Sequence, residues 1–460
     1  MAQPTTQGLR VHPETMRLIA RGEFQEAEQR LKRQVSDPQA PATTPAAIQL
    51  EILARIRHDF PWDEQAIFEQ LKEQGVDADA SDLARWRDVG DLQFRTIDGT
   101  RRYFRRAVGN LWRFNAEARL RRGESPATSE FAMEPLVAQL LARRTQQESD
   151  LVQPIRHRVV YRLTISEDEP LWQPGSKVAV WLPYPQAYRQ QTQVQLVRTD
   201  PEVVHIADEN VPQRTLYFEK TIGNDDQQRT FLAEFTFVTS AYVPQLDDSQ
   251  VEQYQTSSEL YQEFTAARLP HIALTPAVRK LAAEIVKNEN NPLAKARAVF
   301  HWVSHNIPWC GEREYSTIDS LSQKGLAARR GDCGVQGTTF ITLCRAAGVP
   351  ARWQSGWQTK PGHENMHDWT EFYVEPWGWL PADPSYGVLK HESPEVRDFF
   401  CGHLDPYRMI VNLDYGRRLQ PPKTSFRSEP NDFQRGEVEI DGRNLYFDRW
   451  KWHFEVEVAD

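Results

Sequence analysis

The spacing of apolar positions changes character twice along the chain and divides it into three stretches. From about residue 13 to residue 150, apolar residues recur at helical intervals. Pro13 to Val35 reads as two helices broken at Gly22, and Ala46–His58, Glu64–Gln74 and Ala80–Arg87 read as three more. "LQFRTIDGTRRYF" then alternates around Asp98-Gly99, a pair suited to the left-handed positions of a tight hairpin. Short helices followed by a hairpin have the outline of a winged helix. Between Pro154 and Gln245 the pattern becomes alternating: "HRVVYRLTI" puts Val159, Tyr161, Leu163 and Ile165 on one face, and "KVAVWLP", "TLYFEK" and "TFLAEFTFV" behave alike. Turn residues separate these runs, which predicts an antiparallel β-sandwich. A polar linker, Gln245 to Ser258, follows.

From Leu260 the helical period returns. Helices are expected to start at Pro276 and Pro292, where a missing N–H costs nothing, and another after Cys333. Strand signals follow at Ala351–Trp357, Trp369–Glu375 and Trp379–Ala382, an α+β order. From Gln434 onward, "GEVEI", "NLYFDRW" and "KWHFEVEV" alternate again and are expected to add strands to a sheet already formed. The expected layout is multi-domain. A helical domain with its winged-helix-like hairpin spans 1–150, a β-sandwich spans 151–250, and an α+β core with a C-terminal β extension spans 251–460.

Charge and composition narrow the functional classes. A net charge of -9 over 460 residues argues against nucleic acid as a partner. The eight arginines and one acid between Arg101 and Gly123 read as a solvated face or as contacts to a neighbouring domain. Fourteen tryptophans are many, and some are expected to line grooves. No stretch has the apolar length to cross a bilayer. The polar start "MAQPTTQG" looks like a mature exported chain, so a periplasmic or secreted location is expected, with a cytoplasmic chain as the alternative. The four cysteines form no CxxC pair, so no structural zinc is expected, nor any other metal or cofactor.

The chemistry concentrates in "RRGDCGVQGTTFITLCRAAGVPAR", Arg329 to Arg352. Gly331 and Gly334 flank Asp332-Cys333, and the helical pattern beyond them stops at Gly348 with Pro350 behind it. Cys333 therefore stands at a helix N-terminus, where the dipole favours a thiolate and lowers the thiol pKa. Cys344, on the same face among Phe340, Leu343 and Ala347, reads as core. A nucleophilic cysteine needs a base, and the base an orienting group. His367 is expected just before one strand and Asp383 at the end of the next. The Glu375-Pro376-Trp377-Gly378 turn between these strands brings their far ends together. Trp369 and Trp379 are expected to wall the cleft. His363 reads as a surface turn residue. Cys401, His403, Asp405, Asn412 and Asp414 read as structural, their spacing matching no ion-binding loop.

"RRGDCGVQ", "CRAAGVPAR", "HDWTEFYV" and "GWLPADPSYG" together resemble the transglutaminase-like superfamily of papain-like cysteine enzymes, over about Leu260 to Gly416. The resemblance implies a papain/transglutaminase-like core with Cys333 as nucleophile, His367 as base and later acid, and Asp383 as orienter. It also implies acyl transfer through a thioester, to an amine or to water. One oxyanion donor would be the backbone N–H of Cys333. The second would come from upstream, with Trp309 the candidate and Tyr315 and Gln323 its rivals. Glu371 repeats the family's strand glutamate and reads as a cleft-wall hydrogen bonder.

Gly334 replaces the tryptophan that follows the cysteine in eukaryotic cross-linking members, and neither calcium loops nor C-terminal barrels are evident. The expectation is a bacterial, secreted cysteine protease or amidase. Its substrate would be a peptide or protein, glycosylated and cell-envelope-derived ones included. The alternatives are an amine acyltransferase and a non-catalytic glycan- or peptide-binding protein with a relic triad.

Overall fold

In the computed structural model, residues 11–35, 43–123 and 132–459 are described; the "MAQPTTQG" start lies outside them. The chain divides into two compact units. Among the described residues, one takes those from 11 to 132 together with Cys310–Asp319; the other takes Met133–Trp309 and those from 320 to 459.

The smaller unit is helical. α1 (Pro13–Arg21), α2 (Phe24–Gln34), α3 (Pro45–Asp59), α4 (Glu64–Glu73) and α5 (Ala80–Asp88) precede a hairpin of β1 (Phe94–Ile97) and β2 (Thr100–Tyr103). α6 (Ala107–Phe114) and α7 (Ala116–Arg122) follow. Phe24, Leu31, Leu53, Ile67, Leu71, Leu83, Trp86 and Leu111 share its core. Gly22 ends α1 at φ +81°, and a Cβ there would stand 2.2 Å from the Thr96 carbonyl oxygen, so only glycine fits. The hairpin tip reciprocates: Asp98 N donates to Gly22 O at 2.7 Å, and Asp98 Oδ1 accepts from Gln25 N at 2.8 Å. The arginine-rich stretch is two helices, because the Asn115 side chain caps the second by accepting from Ala118 N at 2.9 Å. Its arginines are tied to the unit itself: Arg121 pairs with Asp82 at 2.7 Å and Arg105 with Glu314 at 2.5 Å. The segment Cys310–Asp319 is held by Asn110, which bonds both N and O of Gly311, and by Asp59, which accepts from Thr317 Oγ1 at 3.0 Å.

The larger unit begins with α8 (Glu134–Arg144) and six strands: β3 (Leu151–Ile165), β4 (Lys177–Pro183), β5 (Gln191–Asp200), β6 (His205–Ile206), β7 (Thr215–Thr221) and β8 (Thr230–Tyr242). The helices α9 (Glu259–Thr265), α10 (Pro276–Val286), α11 (Pro292–Asn306), α12 (Leu321–Ala328) and α13 (Cys333–Ala346) come next. Then follow β9 (Ala351–Gln358), β10 (Asn365–Val374), β11 (Gly378–Ala382), the short α14 (Pro394–Arg397) and β12 (Arg408–Asn412). These four strands form an antiparallel sheet in the order β11-β10-β9-β12. α13 packs on it, with the Phe340 and Phe372 ring centroids 6.1 Å apart. Gly356 lets β9 lie against β12, since a Cβ there would be 1.9 Å from Met409 O.

The tail supplies β13 (Glu437–Ile440), β14 (Arg443–Leu445) and β15 (Trp450–Ala459). They complete two further sheets, ordered β14-β13-β4-β7-β6 and β15-β3-β8-β5. β13 lies along β4 (Val438↔Val180) and β15 along β3 (Phe454↔Tyr161), so the tail joins the central strands and not the α13 sheet. "NLYFDRW" is not one strand, because β14 stops at Leu445 and β15 begins only at Trp450. Val159, Tyr161, Leu163, Val180, Phe218, Phe231, Phe235 and Val438, drawn from both sheets, meet in one core. The result is a mixed α/β, multi-sheet chain with helices at its N-terminal end and strands at its C-terminal end. Among the described residues no helix is long and apolar enough to cross a membrane.

Candidate active site

α13 starts at Cys333 because Asp332 caps it, its Oδ1 accepting from Val335 N at 3.1 Å. Gly331 is dictated by the first helical turn: a Cβ there would lie 2.2 Å from Val335 Cγ1. Gly331 N donates to Pro308 O at 3.2 Å and Gly331 bridges to Trp309, which fixes residues 308 and 309 beside the helix start.

His367 lies inside β10, not before it. The strand begins at Asn365 because it pairs with β9 from Asn365↔Gln358 through His367↔Gly356. Asp383 follows the last residue of β11, whose pairing with β10 runs from Val374↔Gly378 to Thr370↔Ala382. His367 Nε2 thereby reaches Asp383 Oδ2 at 2.7 Å. Asp383 is fully buried. Its Oδ2 also accepts from Arg408 Nη1 at 2.7 Å, and its Oδ1 from the backbone N–H of Ser385 at 3.0 Å and of Tyr386 at 3.1 Å. Burial opposes its ionisation, but the charges of His367 and Arg408 and these hydrogen bonds outweigh it, and the carboxyl is held down at about 2. An ionised Asp383 can only accept. The His367 ring therefore donates from Nε2, which leaves Nδ1 as its basic nitrogen. The ring is seated by Tyr386 edge-on at 5.3 Å and by Trp369 at 5.9 Å. Tyr386 Oη in turn donates to Gln358 Oε1.

Cys333 is half-buried, while Cys310, Cys344 and Cys401 are buried, and none of the four is in a disulfide. Cys333 Sγ contacts Asp368 Oδ2 at 3.3 Å. Burial, then the charges of Asp368 and Asp332, push the Cys333 thiol well above its ordinary range. This reverses the expectation of a lowered thiol pKa. A helix N-terminus supplies about half an elementary charge, whereas two nearby carboxylates each supply a whole one of the opposite effect. Asp368 is buried too, and its Oδ1 accepts from Gln434 Nε2 at 2.8 Å, which also donates to His367 O at 2.8 Å.

The remaining residues singled out in the sequence fall elsewhere. Trp369 is fully buried, its Nε1 donating to Gln354 Oε1 at 2.6 Å, so it backs the histidine and walls no open cleft. Trp379 packs against Phe264 at 4.9 Å and Tyr373 at 5.4 Å. Glu371 is buried and held by Arg352 Nε at 2.9 Å, Arg352 Nη2 at 2.7 Å and Tyr188 Oη at 2.9 Å. Trp309 is half-buried beside Gly331. Tyr315 belongs to the smaller unit. Gln323 sits on α12 with a buried Nε2 that no acceptor meets among the described residues. His363 is exposed in the loop before β10.

His403 is bonded to the carbonyls of Phe399 and Pro244, Asp405 to Arg408 Nε at 2.8 Å, Asn412 to Ser355 and Asp432, and Asp414 to Arg268 and Arg417. Among the described residues no group of three or more His, Cys, Asp or Glu could hold a metal ion. Asp368, Tyr386, Arg408 and Gln434 were not singled out by sequence reasoning. Only Asp368, adjacent to His367, and Arg408, three residues after Asp405, carried a local signal.

Residues 279–384 match the profile described as the Transglutaminase-like superfamily, an interval that contains Cys333, His367 and Asp383. An uncharacterised protein of Bacillus subtilis, YebA, is 27% identical over 34% of the chain and 24% of its own length. An uncharacterised protein of Haemophilus influenzae is 28% identical over 30% of the chain and 42% of its own length. The chain thus spans less than half the length of either relative. Among solved structures, a candidate cysteine protease from Cytophaga hutchinsonii is similar over 67% of this chain and 92% of its own, at 16% identity and TM-score 0.45. The periplasmic domain of TgpA from Pseudomonas aeruginosa is similar over 50% of this chain and 88% of its own, at 14% identity and TM-score 0.26.

Proposed function

We propose that this chain, which carries a transglutaminase-like domain at residues 279–384, is a cysteine-dependent acyl-transfer enzyme that hydrolyses peptide or amide bonds. The observation that supports it most is the 2.7 Å contact of His367 Nε2 with an ionised Asp383, in the same domain as a cysteine at a helix start. In this reading His367 takes the Cys333 thiol proton and the sulfur attacks the substrate carbonyl carbon. The tetrahedral intermediate collapses as the C–N bond breaks, and the imidazolium gives its proton to the departing amine. A thioester remains. His367 then deprotonates a water that attacks it, the C–S bond breaks, and the sulfur recovers the proton. Asp383, backed by Arg408, keeps the ring oriented and stabilises the imidazolium. The Cys333 backbone N–H is one oxyanion donor and Trp309, which bridges to Gly331, the other, with Gln323 as rival.

The substrate class is a peptide or protein, including glycosylated or cell-envelope-derived chains, and the location is periplasmic or secreted. The two sheets that share a core are read as a β-sandwich of 151–250 to which the tail adds strands; in chain order it follows the helical domain (1–150) and precedes the core with its β extension (251–460). Peptide turnover by the full chain tests the reading: it is expected to vanish in Cys333→Ala and His367→Ala, and its persistence in both overturns it. Added primary amine separates water from amine as acceptor, because an aminolysed product marks a transglutaminase.

One observation favours a second reading, a protein that binds glycan or peptide without cutting it: Cys333 Sγ contacts the Asp368 carboxylate at 3.3 Å, which suits a neutral thiol. Stoichiometric binding with no covalent intermediate distinguishes it.

A further inference from the structure

Asp368 follows His367 in β10, yet it is the residue whose carboxylate meets the nucleophile candidate, at 3.3 Å from Cys333 Sγ. The contact is built, not incidental. Gln434 Nε2 fixes the other carboxylate oxygen and the His367 carbonyl together, and the Gln434 backbone is itself anchored to Glu429 Oε2 at 2.8 Å. Asp368 is 3% exposed and Gln434 7%, so water screens the pair poorly. An S–H is a donor and a carboxylate an acceptor, so the neutral thiol suits this contact and a thiolate does not.

We propose that Cys333 and Asp368 hold one proton between them in the resting protein, so that Asp368 and not the sulfur carries the negative charge beside the helix start. This rests on the reading of Cys333 as nucleophile. The groups that act on the Cys333 sulfur besides Asp368 are Asp332 at the α13 cap and Tyr386; His367, next to Asp368 in β10, is bonded to Asp383, which Arg408 also holds. Arg408 is already engaged by Asp383 and Asp405, and Asp332 adds to the repulsion a thiolate would feel. The resting site then holds a quiet thiol and no thiolate. Asp368 is a positioning residue in this scheme: thiolate forms only when His367 takes the proton during attack.

The test needs no substrate. The full chain is alkylated with iodoacetamide from pH 5 to pH 10, and the Cys333 peptide is quantified by mass spectrometry in wild type, Asp368→Asn, Asp368→Ala and His367→Ala. In wild type the rate is expected to rise with an inflection above about 8.5, the value of an ordinary thiol. In both Asp368 variants the inflection moves down, raising the rate at pH 7 by up to about tenfold per pK unit. His367→Ala is expected to leave the slow reaction at pH 6 unchanged. An unmoved inflection in both Asp368 variants, or fast wild-type alkylation at pH 6 that His367→Ala abolishes, overturns the proposal. If neither Asp368 variant folds, the wild-type inflection decides: at or below about 8.5 the proposal fails. Loss of the enzymatic reading would show separately, as absent turnover with this thiol titration intact.

Discussion

His367 and Asp383 meet at 2.7 Å although sixteen residues separate them, because the β10–β11 hairpin folds the second strand back along the first. Arg408, from β12, closes the same carboxylate from another side at 2.7 Å. Asp383 is thus a buried anion with two cationic partners when His367 is protonated, and its place beside the ring is over-determined.

Acid stability follows from this. The Asp383 carboxyl is lowered from its ordinary value to about 2 in the folded chain. A depressed carboxyl contributes stability above its unfolded pKa of about 3.9 and loses it as pH falls through the folded value. Asp383 is therefore expected to contribute roughly 2–3 kcal/mol at neutral pH that disappears between about pH 4 and pH 2. Urea unfolding of wild type and Asp383→Asn across that range checks it: the difference in pH slope should be confined there. Arg408→Met, which leaves the carboxylate with one partner fewer, is expected to cost about 3–5 kcal/mol.

Asp59 in the helical unit has the opposite sign. Burial, relieved in part by Arg105 and raised further by Glu314, pushes its carboxyl up to about 7. Folding then favours the protonated form, so the contribution of Asp59 is greatest below about pH 4 and declines as pH rises to about 7. The shift corresponds to about 4 kcal/mol. Asp59→Asn keeps an acceptor for Thr317 and should remove the decline, read as a flatter stability profile from pH 4 to pH 7. An unchanged slope would contradict the burial argument.

Gly331→Ala is expected to disturb the site through packing alone. The new Cβ meets Val335 Cγ1 at 2.2 Å, on the first turn of the helix that Cys333 begins. Overpacking of this kind costs about 1–3 kcal/mol, and displacement of Cys333 should change its alkylation rate. A second substitution, Val335→Ala, removes both Cγ atoms but leaves its Cβ 2.5 Å from the new one, so it should restore both only in part; no recovery at all would point to a backbone requirement at Gly331.

Glu371 is expected to matter for stability. It is buried, with Arg352 and Tyr188 bonded to its oxygens. Glu371→Ala strands Arg352 and should cost about 3–5 kcal/mol, measured by denaturant unfolding. The pH profile of Cys333 alkylation should stay as in wild type.

What the sequence made legible was local. The start of α13 was marked by Asp332 and Gly331, and the meeting of His367 with Asp383 followed from hairpin geometry. The core place of Cys344 followed from helical spacing. The tail strands were visible as alternation, but their partners were not, because β13 and β15 pair with strands hundreds of residues earlier by sequence number. Arg408 showed locally only as a neighbour of Asp405; its place at the site was hidden for the same reason, because β12 reaches the site only by lying on β9. The segment Cys310–Asp319 gave no sign that it belongs with the helices, since its anchors, Asp59 and Asn110, lie far upstream. The thiol was misjudged because the dipole of a helix can be read from its own residues, whereas the charge of Asp368 arrives from another element.

The most direct test of acyl transfer at Cys333 is interception of the thioester. The full chain would be incubated with a peptide mixture derived from cell-envelope proteins in the presence of hydroxylamine, and the products identified by mass spectrometry. Wild type is expected to yield peptides ending in hydroxamates, absent with Cys333→Ala and with His367→Ala. The same products from Cys333→Ala, or none from a wild type whose Cys333 remains open to alkylation, would contradict acyl transfer at this site.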